Sequence, residues 1–280
     1  MRKLCVIGDP VGHSKSPVIH NAMLRAAGLE GEYTARRVAR SDTAGWLEQA
    51  KEEGYDGFNA TMPHKQSLVP LMDWLSEDAR RFGAVNTVCI RNGRAYGYNT
   101  DGDGFLQALR EAGMTAEGRR VLVLGAGGAA KAVVAKLAQA GAADIAVANR
   151  TLSRAAQVCR VDGQEVAHPA DFAPDTLRRL ARGCGLVVNC TSLGMTGTQG
   201  DFDDLSFLEA LAPGAGVFDL IYSPPCTELL KRAGELGLRT ANGLGMLIWQ
   251  AVFALEQFTQ TTLDGGAMVA AARTALEESL

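Results

Sequence analysis

Short apolar runs alternate with segments of helical periodicity along the whole chain. The first run, residues 4–7, ends at Gly8, and a helical pattern follows from Ser16-Pro17 to Ala27. A short continuous apolar run of this kind is typical of a buried parallel strand. Further strand patterns lie at residues 57–61, 84–90, 94–98, 119–124, 144–148, 186–189 and 217–220, and further helical patterns at 131–139, 246–258 and 267–276. This alternation predicts an α/β fold.

Two local patterns indicate how the chain is organised. Asn92-Gly93 separates two strand patterns, as expected for a two-residue β-hairpin turn. From residue 119 a strand, a glycine-rich loop, a helix and a second strand follow within about 30 residues, the length of a βαβ dinucleotide-binding unit. A chain of 280 residues has room for roughly two domains. We therefore expect two α/β domains with a boundary near residue 102.

The composition narrows the classes of function. Lys and Arg total 28 against 31 Asp and Glu, a net charge of −3, which lacks the basic excess of a general nucleic-acid or anionic-membrane binder. The N-terminal apolar run is too short for a secretory signal, and residues 244–255 are too short to span a bilayer. The 6 cysteines and 4 histidines show no metal-ligand spacing. We expect a cytoplasmic protein with reduced thiols, no metal, and no nucleic-acid or membrane partner.

The glycine-rich loop points to a nucleotide. Gly125-x-Gly127-x-x-Ala130 follows a strand pattern and opens a helix, which is the context of the dinucleotide-binding fingerprint. The first glycine permits a tight turn, the second lets the backbone approach the pyrophosphate, and the small third residue lets helix and strand pack closely. A glycine-rich turn that serves only packing is the alternative. The predicted cofactor-binding residues here are Gly125, Ala126, Gly127, Gly128 and Ala129.

The end of the next strand distinguishes NADP from NAD. A carboxylate there would bind the ribose 2′-hydroxyl of NAD, but this chain has Asn149, Arg150 and Thr151, with Arg154 close behind. Guanidinium groups can hold a 2′-phosphate through two parallel hydrogen bonds. The alternative is a pair of surface arginines at a helix start. The sequence favours NADP as the cofactor.

The first half of the chain carries polar motifs at strand ends. Ser14-Lys15-Ser16 precedes a helix that its hydroxyls could cap, and Lys65 closes the motif NATMPHK after a strand, where a lysine is commonly just a solvated charge. Asn86 lies inside an apolar stretch, and Asp101 lies at the expected domain junction, where a simple turn is the alternative. Each motif alone is ambiguous, but together they indicate a polar site.

These motifs together resemble the shikimate dehydrogenase family over nearly the whole chain. The resemblance implies an N-terminal αβ sandwich, residues 1–102, completed by C-terminal helices in 239–280, with an inserted Rossmann domain at 103–238. The motifs that carry it are GDPVGHSKSPVIHN (8–21), NATMPHK (59–65), GAVNTV (83–88), YNTDGDG (98–104), GAGGAAKA (125–132), NRT (149–151), NCTSLGM (189–195), DLIYSPPCT (219–227) and NGLGMLIWQA (242–251).

The resemblance also implies an activity and roles for residues. Members reduce 3-dehydroshikimate to shikimate with NADPH on the route to chorismate and aromatic amino acids. Lys65 and Asp101 match the catalytic pair. Substrate-binding positions carry over to Ser14 and Ser16 for the carboxylate, to Thr61, Asn86 and Gln250 for ring hydroxyls, and to Tyr222. Further cofactor-contacting positions are Thr191, Leu220 and Gly243.

Two other functions fit the same motifs. One is a quinate/shikimate dehydrogenase that prefers NAD and works in the degradative direction, against which Arg150 and its neighbours argue. The other is a non-catalytic NADPH-binding regulator, which would be expected to lack Lys65 or Asp101, and both are present. The sequence leaves open whether the protein is a monomer or a homodimer.

Overall fold

The computed structural model, which describes residues 1–198 and 200–279, places each apolar run of the sequence in a β-strand. The strands in chain order are β1 (Arg2–Gly8), β2 (Gly31–Arg37), β3 (Gly57–Ala60), β4 (Trp74–Leu75), β5 (Thr87–Arg91), β6 (Arg94–Tyr98), β7 (Arg120–Leu124), β8 (Asp144–Ala148), β9 (Arg160–Val161), β10 (Gln164–Glu165), β11 (His168–Ala170), β12 (Leu186–Asn189), β13 (Gly216–Asp219) and β14 (Arg239–Ala241).

Helices follow most of these strands. They are α1 (Ser16–Ala26), α2 (Thr43–Glu52), α3 (Glu77–Phe82), α4 (Asp101–Glu111), α5 (Ala130–Gln139), α6 (Leu152–Val158), α7 (Pro174–Ala181), α8 (Glu228–Glu235), α9 (Leu244–Thr259) and α10 (Gly265–Glu278), with short 3-10 segments at Arg40–Asp42, Val69–Leu71 and Ser206–Ala210. The predicted α/β fold class is confirmed.

The chain divides into two compact units. The first comprises residues 1–104 and 248–280, and the second comprises residues 105–247. The expected division after residue 238 falls too early, because β14 pairs in parallel with β13 and so belongs to the second sheet. The assignment of substrate binding to the first unit and NADP binding to the second stays a prediction.

The first unit is built on a six-stranded mixed sheet with the order β2-β1-β3-β5-β6-β4. β1 is parallel to both its neighbours, whereas β3, β5 and β6 are successively antiparallel. Asn92 and Gly93 have φ of 51° and 74°, which is the geometry of a type I′ turn, so the predicted hairpin is confirmed. One face of the sheet carries a core that includes Trp46, Phe58 and Leu68.

Helix α1 joins the two ends of the chain. It packs against β2 and against α10, the last helix of the first unit. Its N-terminus differs from the expected serine cap: Lys15 is the capping residue and no side chain caps the helix. The Ser14 hydroxyl instead accepts the Ser16 amide at 3.3 Å, and Ser16 is the first residue of the helix.

His20 on α1 is buried without a hydrogen-bond partner. It is fully inaccessible, its ring lies parallel to that of Tyr33 with centroids 4.1 Å apart, and neither ring nitrogen is bonded within the described residues. Burial lowers the pKa of His20 to about 3. The native protein therefore holds a neutral imidazole, whereas the unfolded chain takes up a proton near pH 6.5.

This difference predicts sensitivity to acid. Above pH 6.5 both states are neutral and His20 has no effect, but below it the unfolded state binds a proton that the native state rejects, so the free energy of unfolding falls by about 1.4 kcal/mol per pH unit. We expect His20→Phe to remove about 2 kcal/mol of the loss between pH 7 and pH 5, measured by urea unfolding. His13→Gln, in an exposed loop, is the control, and an unchanged pH dependence in His20→Phe would contradict the prediction.

The second unit contains a parallel sheet with the order β11-β8-β7-β12-β13-β14. Counted from β7, this is the doubly wound order 3-2-1-4-5-6 of dinucleotide-binding folds, and the strand order reverses between β7 and β12. The central strands β7, β8, β12 and β13 are almost wholly buried, as expected for a sheet covered by helices on both faces, whereas the outer strands β11 and β14 are mostly exposed. The predicted β7-loop-α5-β8 unit is confirmed.

Candidate functional site

Three strand ends form one row across the first sheet. Ala60 ends β3 beside Ile7 of β1, and Thr87 at the start of β5 pairs with both Asn59 and Tyr98, the last residue of β6. The segments that leave these strands carry Lys65, Asn86 and Asp101. The antiparallel alternation of β3, β5 and β6 therefore brings three of the predicted site residues to the same side of the sheet, at the ends of these strands.

Lys65 and Asp101 form an ion pair at these strand ends. Lys65 Nζ lies 2.6 Å from Asp101 Oδ2, and the two side chains are 22% and 10% exposed. Such partial burial leaves the ammonium group accessible while it strengthens the charge interaction relative to an open surface. Asp101 begins helix α4, rather than lying in a turn, and its amide donates to Asn99 Oδ1 at 3.1 Å.

Asn86 fixes the other oxygen of the carboxylate. Its amide nitrogen donates to Asp101 Oδ1 at 2.8 Å and to Thr100 Oγ1 at 3.0 Å, while its carbonyl oxygen accepts the Thr100 amide at 2.9 Å. Asn86 is 2% exposed. Its predicted contact with a substrate hydroxyl stays a prediction, and the geometry gives it a clear part in holding Asp101.

The segment before Lys65 is held by His64. His64 is fully buried, with Nδ1 at 2.8 Å from Thr43 Oγ1 and Nε2 at 2.9 Å from the Val38 carbonyl. Burial lowers the pKa of His64, opposed by the Val38 contact and by the charge of Asp9. The Lys65 carbonyl in turn accepts the Val85 amide at 2.8 Å. These contacts fix the backbone that presents the lysine.

The other predicted substrate residues of this unit lie on neighbouring segments. The loop after β1, which carries Ser14 and Ser16, meets the segment of Thr61 where the Asp9 amide donates to the Met62 carbonyl at 3.0 Å. Gln250 on α9 lies beside the start of α4, because its carbonyl accepts Thr100 Oγ1 at 3.0 Å. Lys65 and Asn86 each bond directly to the Asp101 carboxylate, whereas the two serines are joined to each other where Ser14 Oγ accepts the Ser16 amide.

The glycine-rich loop of the second unit lies at the point where the strand order reverses. Gly125 follows β7 with φ of +94°, and a Cβ there would lie 2.6 Å from Thr191 Cγ2 in the loop after β12. Glycine is required by both the backbone angle and the close approach. Helix α5 begins at Ala130 with no side chain capping it, so its first amides are suited to bind an anion.

The residues after β8 lie next to this loop, because β7 and β8 pair in register to their last residues, Leu124 and Ala148. Asn149 Nδ2 donates to the Thr151 carbonyl at 2.9 Å and fixes the turn. Arg150, Thr151 and Arg154 are exposed. These three side chains are therefore accessible at the strand end next to the glycine-rich loop, and their binding of a 2′-phosphate stays a prediction.

A buried carboxylate joins the loops after β12 and β13. Asp219 is inaccessible and accepts hydrogen bonds from Asn189 Nδ2 at 2.9 Å, the Ile221 amide at 3.0 Å and Thr227 Oγ1 at 2.7 Å. Burial raises the pKa of Asp219, and these three bonds oppose the shift. Asn189 Oδ1 also accepts Thr191 Oγ1 at 2.7 Å. The cluster positions Thr191 and the segment that carries Leu220 and Tyr222.

The last predicted cofactor residue, Gly243, lies against that segment. Its amide donates to the Ile221 carbonyl at 3.0 Å, and a Cβ at Gly243 would collide with the Leu220 carbonyl. Tyr222 is half-buried, and burial raises the pKa of its hydroxyl. Because Tyr222 belongs to the second unit, its predicted contact with the substrate stays a prediction.

Sequence reasoning missed the residues that hold the site from inside. Asn59, Thr87, Asn189, Asp219 and Thr227 are all at most 6% exposed, yet their polarity predicts a surface position. For Asn59, Thr87, Asn189 and Asp219 the available signal was that each lies in a predicted apolar strand, whereas Thr227 lies outside every predicted element. A polar residue in such a place needs a buried partner.

The described residues contain neither a metal cluster nor a membrane-spanning helix. Among residues 1–198 and 200–279, no cluster of three or more His, Cys, Asp or Glu side chains is arranged to hold a metal ion. In the same part of the chain, no helix combines the length and apolarity needed to cross a membrane. All six cysteines are free thiols, and Cys5, Cys89, Cys159 and Cys184 are buried.

Comparison with known proteins gives one consistent result. Residues 6–88 match the model of the shikimate dehydrogenase substrate binding domain, and residues 107–192 match that of shikimate / quinate 5-dehydrogenase. The chain is 42% identical over 282 residues to the shikimate dehydrogenase (NADP(+)) of Geobacter sulfurreducens, covering 98% of this chain and 97% of that one.

Solved structures agree with these matches. The shikimate 5-dehydrogenase of Thermus thermophilus, in complex with NADP(H) and shikimate, superposes with a TM-score of 0.84 at 36% identity, covering 98% of this chain and 100% of that one. That of Listeria monocytogenes, in complex with shikimate and NAD, gives 0.86 at 31% identity over 96% of each chain. The predicted resemblance is confirmed.

Proposed function

Because the chain belongs to the shikimate dehydrogenase family, we propose that Lys65 and Asp101 carry out its proton transfer and that Arg150 selects its cofactor. The protein is an NADP-dependent oxidoreductase that interconverts 3-dehydroshikimate and shikimate in the shikimate pathway. The observation that carries the proposed proton transfer is the 2.6 Å ion pair between Lys65 and Asp101 at the row of strand ends.

The second unit fits NADP. The uncapped N-terminus of α5 offers backbone donors of the kind that hold a pyrophosphate. Arg150, Thr151 and Arg154 would hold the 2′-phosphate, supported by their exposure beside the glycine-rich loop. When bound, the nicotinamide supplies or accepts the hydride.

Lys65 would manage the proton. In the direction of reduction, the carbonyl oxygen of the substrate gains negative charge, which an adjacent ammonium group both stabilises and protonates. Asp101 would keep that ammonium in place through Oδ2, while Asn86 holds Oδ1 and prevents the carboxylate from rotating. In the direction of oxidation, the same lysine, once neutral, would take the proton from the hydroxyl group.

The serines of the loop after β1 would bind the carboxylate of the substrate. Ser14 Oγ accepts the Ser16 amide, which leaves its hydroxyl proton free to be donated. Two short hydroxyls match the flat acid end of shikimate, whose carboxylate is attached to an unsaturated carbon. Quinate carries an additional hydroxyl on a tetrahedral carbon there, and burying that hydroxyl without a partner costs about 1–3 kcal/mol.

We therefore expect this enzyme to oxidise shikimate with a kcat/KM at least about tenfold higher than it shows for quinate, with NADP as the acceptor. The measurement follows the absorbance of NADPH under one set of conditions with each substrate. Comparable values for the two substrates would place the protein with the quinate/shikimate enzymes instead. Inactivity with both would favour the NADPH-binding regulator.

A cytoplasmic location and a monomeric or homodimeric state remain part of this proposal. The supporting feature for the location is the set of six free thiols, since reduced cysteines are typical of intracellular proteins. Sedimentation velocity of the purified protein would settle the oligomeric state.

A further inference from the structure

The carboxylate of Asp101 is the end point of a chain of buried polar side chains that begins at Tyr33 on β2. Tyr33 Oη lies 2.7 Å from Asn59 Oδ1, and Asn59 Nδ2 lies 2.9 Å from Thr87 Oγ1. Thr87 Oγ1 lies 2.9 Å from Asn86 Oδ1, and Asn86 Nδ2 lies 2.8 Å from Asp101 Oδ1. All five residues are at most 7% exposed.

Backbone groups of fixed polarity set the direction of every bond in this chain. Asn86 Oδ1 accepts the Thr100 amide, which can only donate, so its nitrogen must face the carboxylate, which can only accept. Asn59 Nδ2 also donates to the Asn86 backbone carbonyl at 3.1 Å, so its oxygen must face Tyr33. Reversing the Asn86 amide would place its nitrogen against the Thr100 amide and its oxygen against the Asp101 carboxylate. Reversing the Asn59 amide would place its oxygen against the Asn86 carbonyl.

The two hydroxyls follow from the two amides. Thr87 Oγ1 accepts a hydrogen bond from Asn59 Nδ2. It donates its own proton to Asn86 Oδ1, because that carbonyl oxygen can only accept. Tyr33 meets a carbonyl oxygen and must donate. Every donor in the chain thus points toward Asp101, and each bond polarises the next in the same sense.

We infer that Tyr33 and Thr87 are positioning residues for Asp101, acting through Asn59 and Asn86 to hold the carboxylate in the orientation that Lys65 requires. This inference rests on the proposed role of the Lys65–Asp101 pair. Neither side chain touches the reacting groups. Their contribution is to prevent the Asn86 amide from turning away from Oδ1, since Asn86 would otherwise keep only its contacts to Thr100.

Removal of either hydroxyl tests the inference. We expect Tyr33→Phe and Thr87→Val each to lower kcat for shikimate oxidation about three- to tenfold, the ratio that corresponds to one ordinary hydrogen bond, with the KM for NADP unchanged. Thr87→Ser keeps the hydroxyl and should restore the wild-type kcat. The double variant should lose no more than the larger single loss, because both changes interrupt one chain.

Two controls separate this role from simple destabilisation. Tyr55→Phe removes a buried tyrosine hydroxyl of the same unit that contacts Arg36 rather than the chain. Val88→Ala opens the core directly beside Thr87. Both control variants should have a lower melting temperature. At assay temperatures well below that melting temperature, both should have the same kcat as the wild type.

The outcomes are distinct. Wild-type kcat in Tyr33→Phe and Thr87→Val, failure of Thr87→Ser to restore activity, or an equal loss in Val88→Ala overturns the inference while the proposed catalytic pair stands, provided that Lys65→Ala is inactive. An active Lys65→Ala enzyme overturns the catalytic pair and this inference together.

Discussion

Lys65→Ala is expected to lower kcat at least about 100-fold, the usual scale for a positioned proton donor, with the affinity for NADPH nearly unchanged. The alanine would leave the Asp101 carboxylate without the ammonium that now lies 2.6 Å away. In the proposed mechanism, the charge that develops on the substrate oxygen would then meet a carboxylate instead of a cation. Steady-state kinetics with shikimate and NADP, together with NADPH fluorescence titration, measures both quantities.

Two further variants define what the lysine contributes. Lys65→Met keeps most of the aliphatic stem and should be as inactive as Lys65→Ala, because only the ammonium group is lost. Lys51→Ala, which removes a surface ion pair with Glu48, should retain full activity. A Lys65→Ala enzyme with near-normal kcat would show that the proton comes from another group.

Arg150→Ala is expected to raise the KM for NADPH about 10- to 150-fold and to change the KM for NADH little. Only NADPH carries the 2′-phosphate, and a hydrogen bond to a charged group contributes about 1.5–3 kcal/mol. Arg150 is exposed after β8, so salt screens part of this interaction. The factor by which Arg150→Ala raises the KM for NADPH should therefore be larger at low salt than at high salt. The measurement is the KM for NADPH and for NADH, in the wild type and the variant, at each salt concentration.

The matched control is Arg160→Ala in the same unit. Arg160 forms an exposed ion pair with Glu165 at 3.1 Å and lies in the small β9–β10 hairpin, outside the parallel sheet. It should leave both KM values unchanged. Equal increases for NADPH and NADH in Arg150→Ala would mean that the arginine supports the fold or the shared pyrophosphate.

The central parallel strands of the second sheet were predictable almost to the residue, whereas the short outer strands β11 and β14 and the polar strand β2 were not. Asp144–Ala148 and Leu186–Asn189 have the predicted bounds because a strand buried on both faces is a continuous apolar run. β2, with the sequence GEYTARR, lies at the edge of its sheet and is exposed at most positions. Its pairing with β1, rather than its own pattern, makes it a strand.

The sequence suggests candidate members of the site but not their connections. The glycine-rich loop and Arg150 follow from residue type and spacing, whereas Lys65 is ambiguous alone and its role is implied by the family resemblance. The contacts that orient Asp101 depend on which polar side chains of the predicted strands point inward, and the sequence pattern around Asn59 and Thr87 does not show which partners they meet. A simple turn was the alternative at Asp101, but this residue starts α4, and its amide donates to Asn99 Oδ1.

The arrangement of α1, α9 and α10 has a consequence for the order of events during synthesis on the ribosome. Residues 105–247 form a continuous segment, so this unit can complete its sheet as soon as it emerges. Residues 1–104 emerge earlier but lack the helices of 248–280, including α10 that packs on α1. The unit that is started first is therefore finished last, and the surface of α1 that α10 covers stays open to solvent until residues 265–278 have been made.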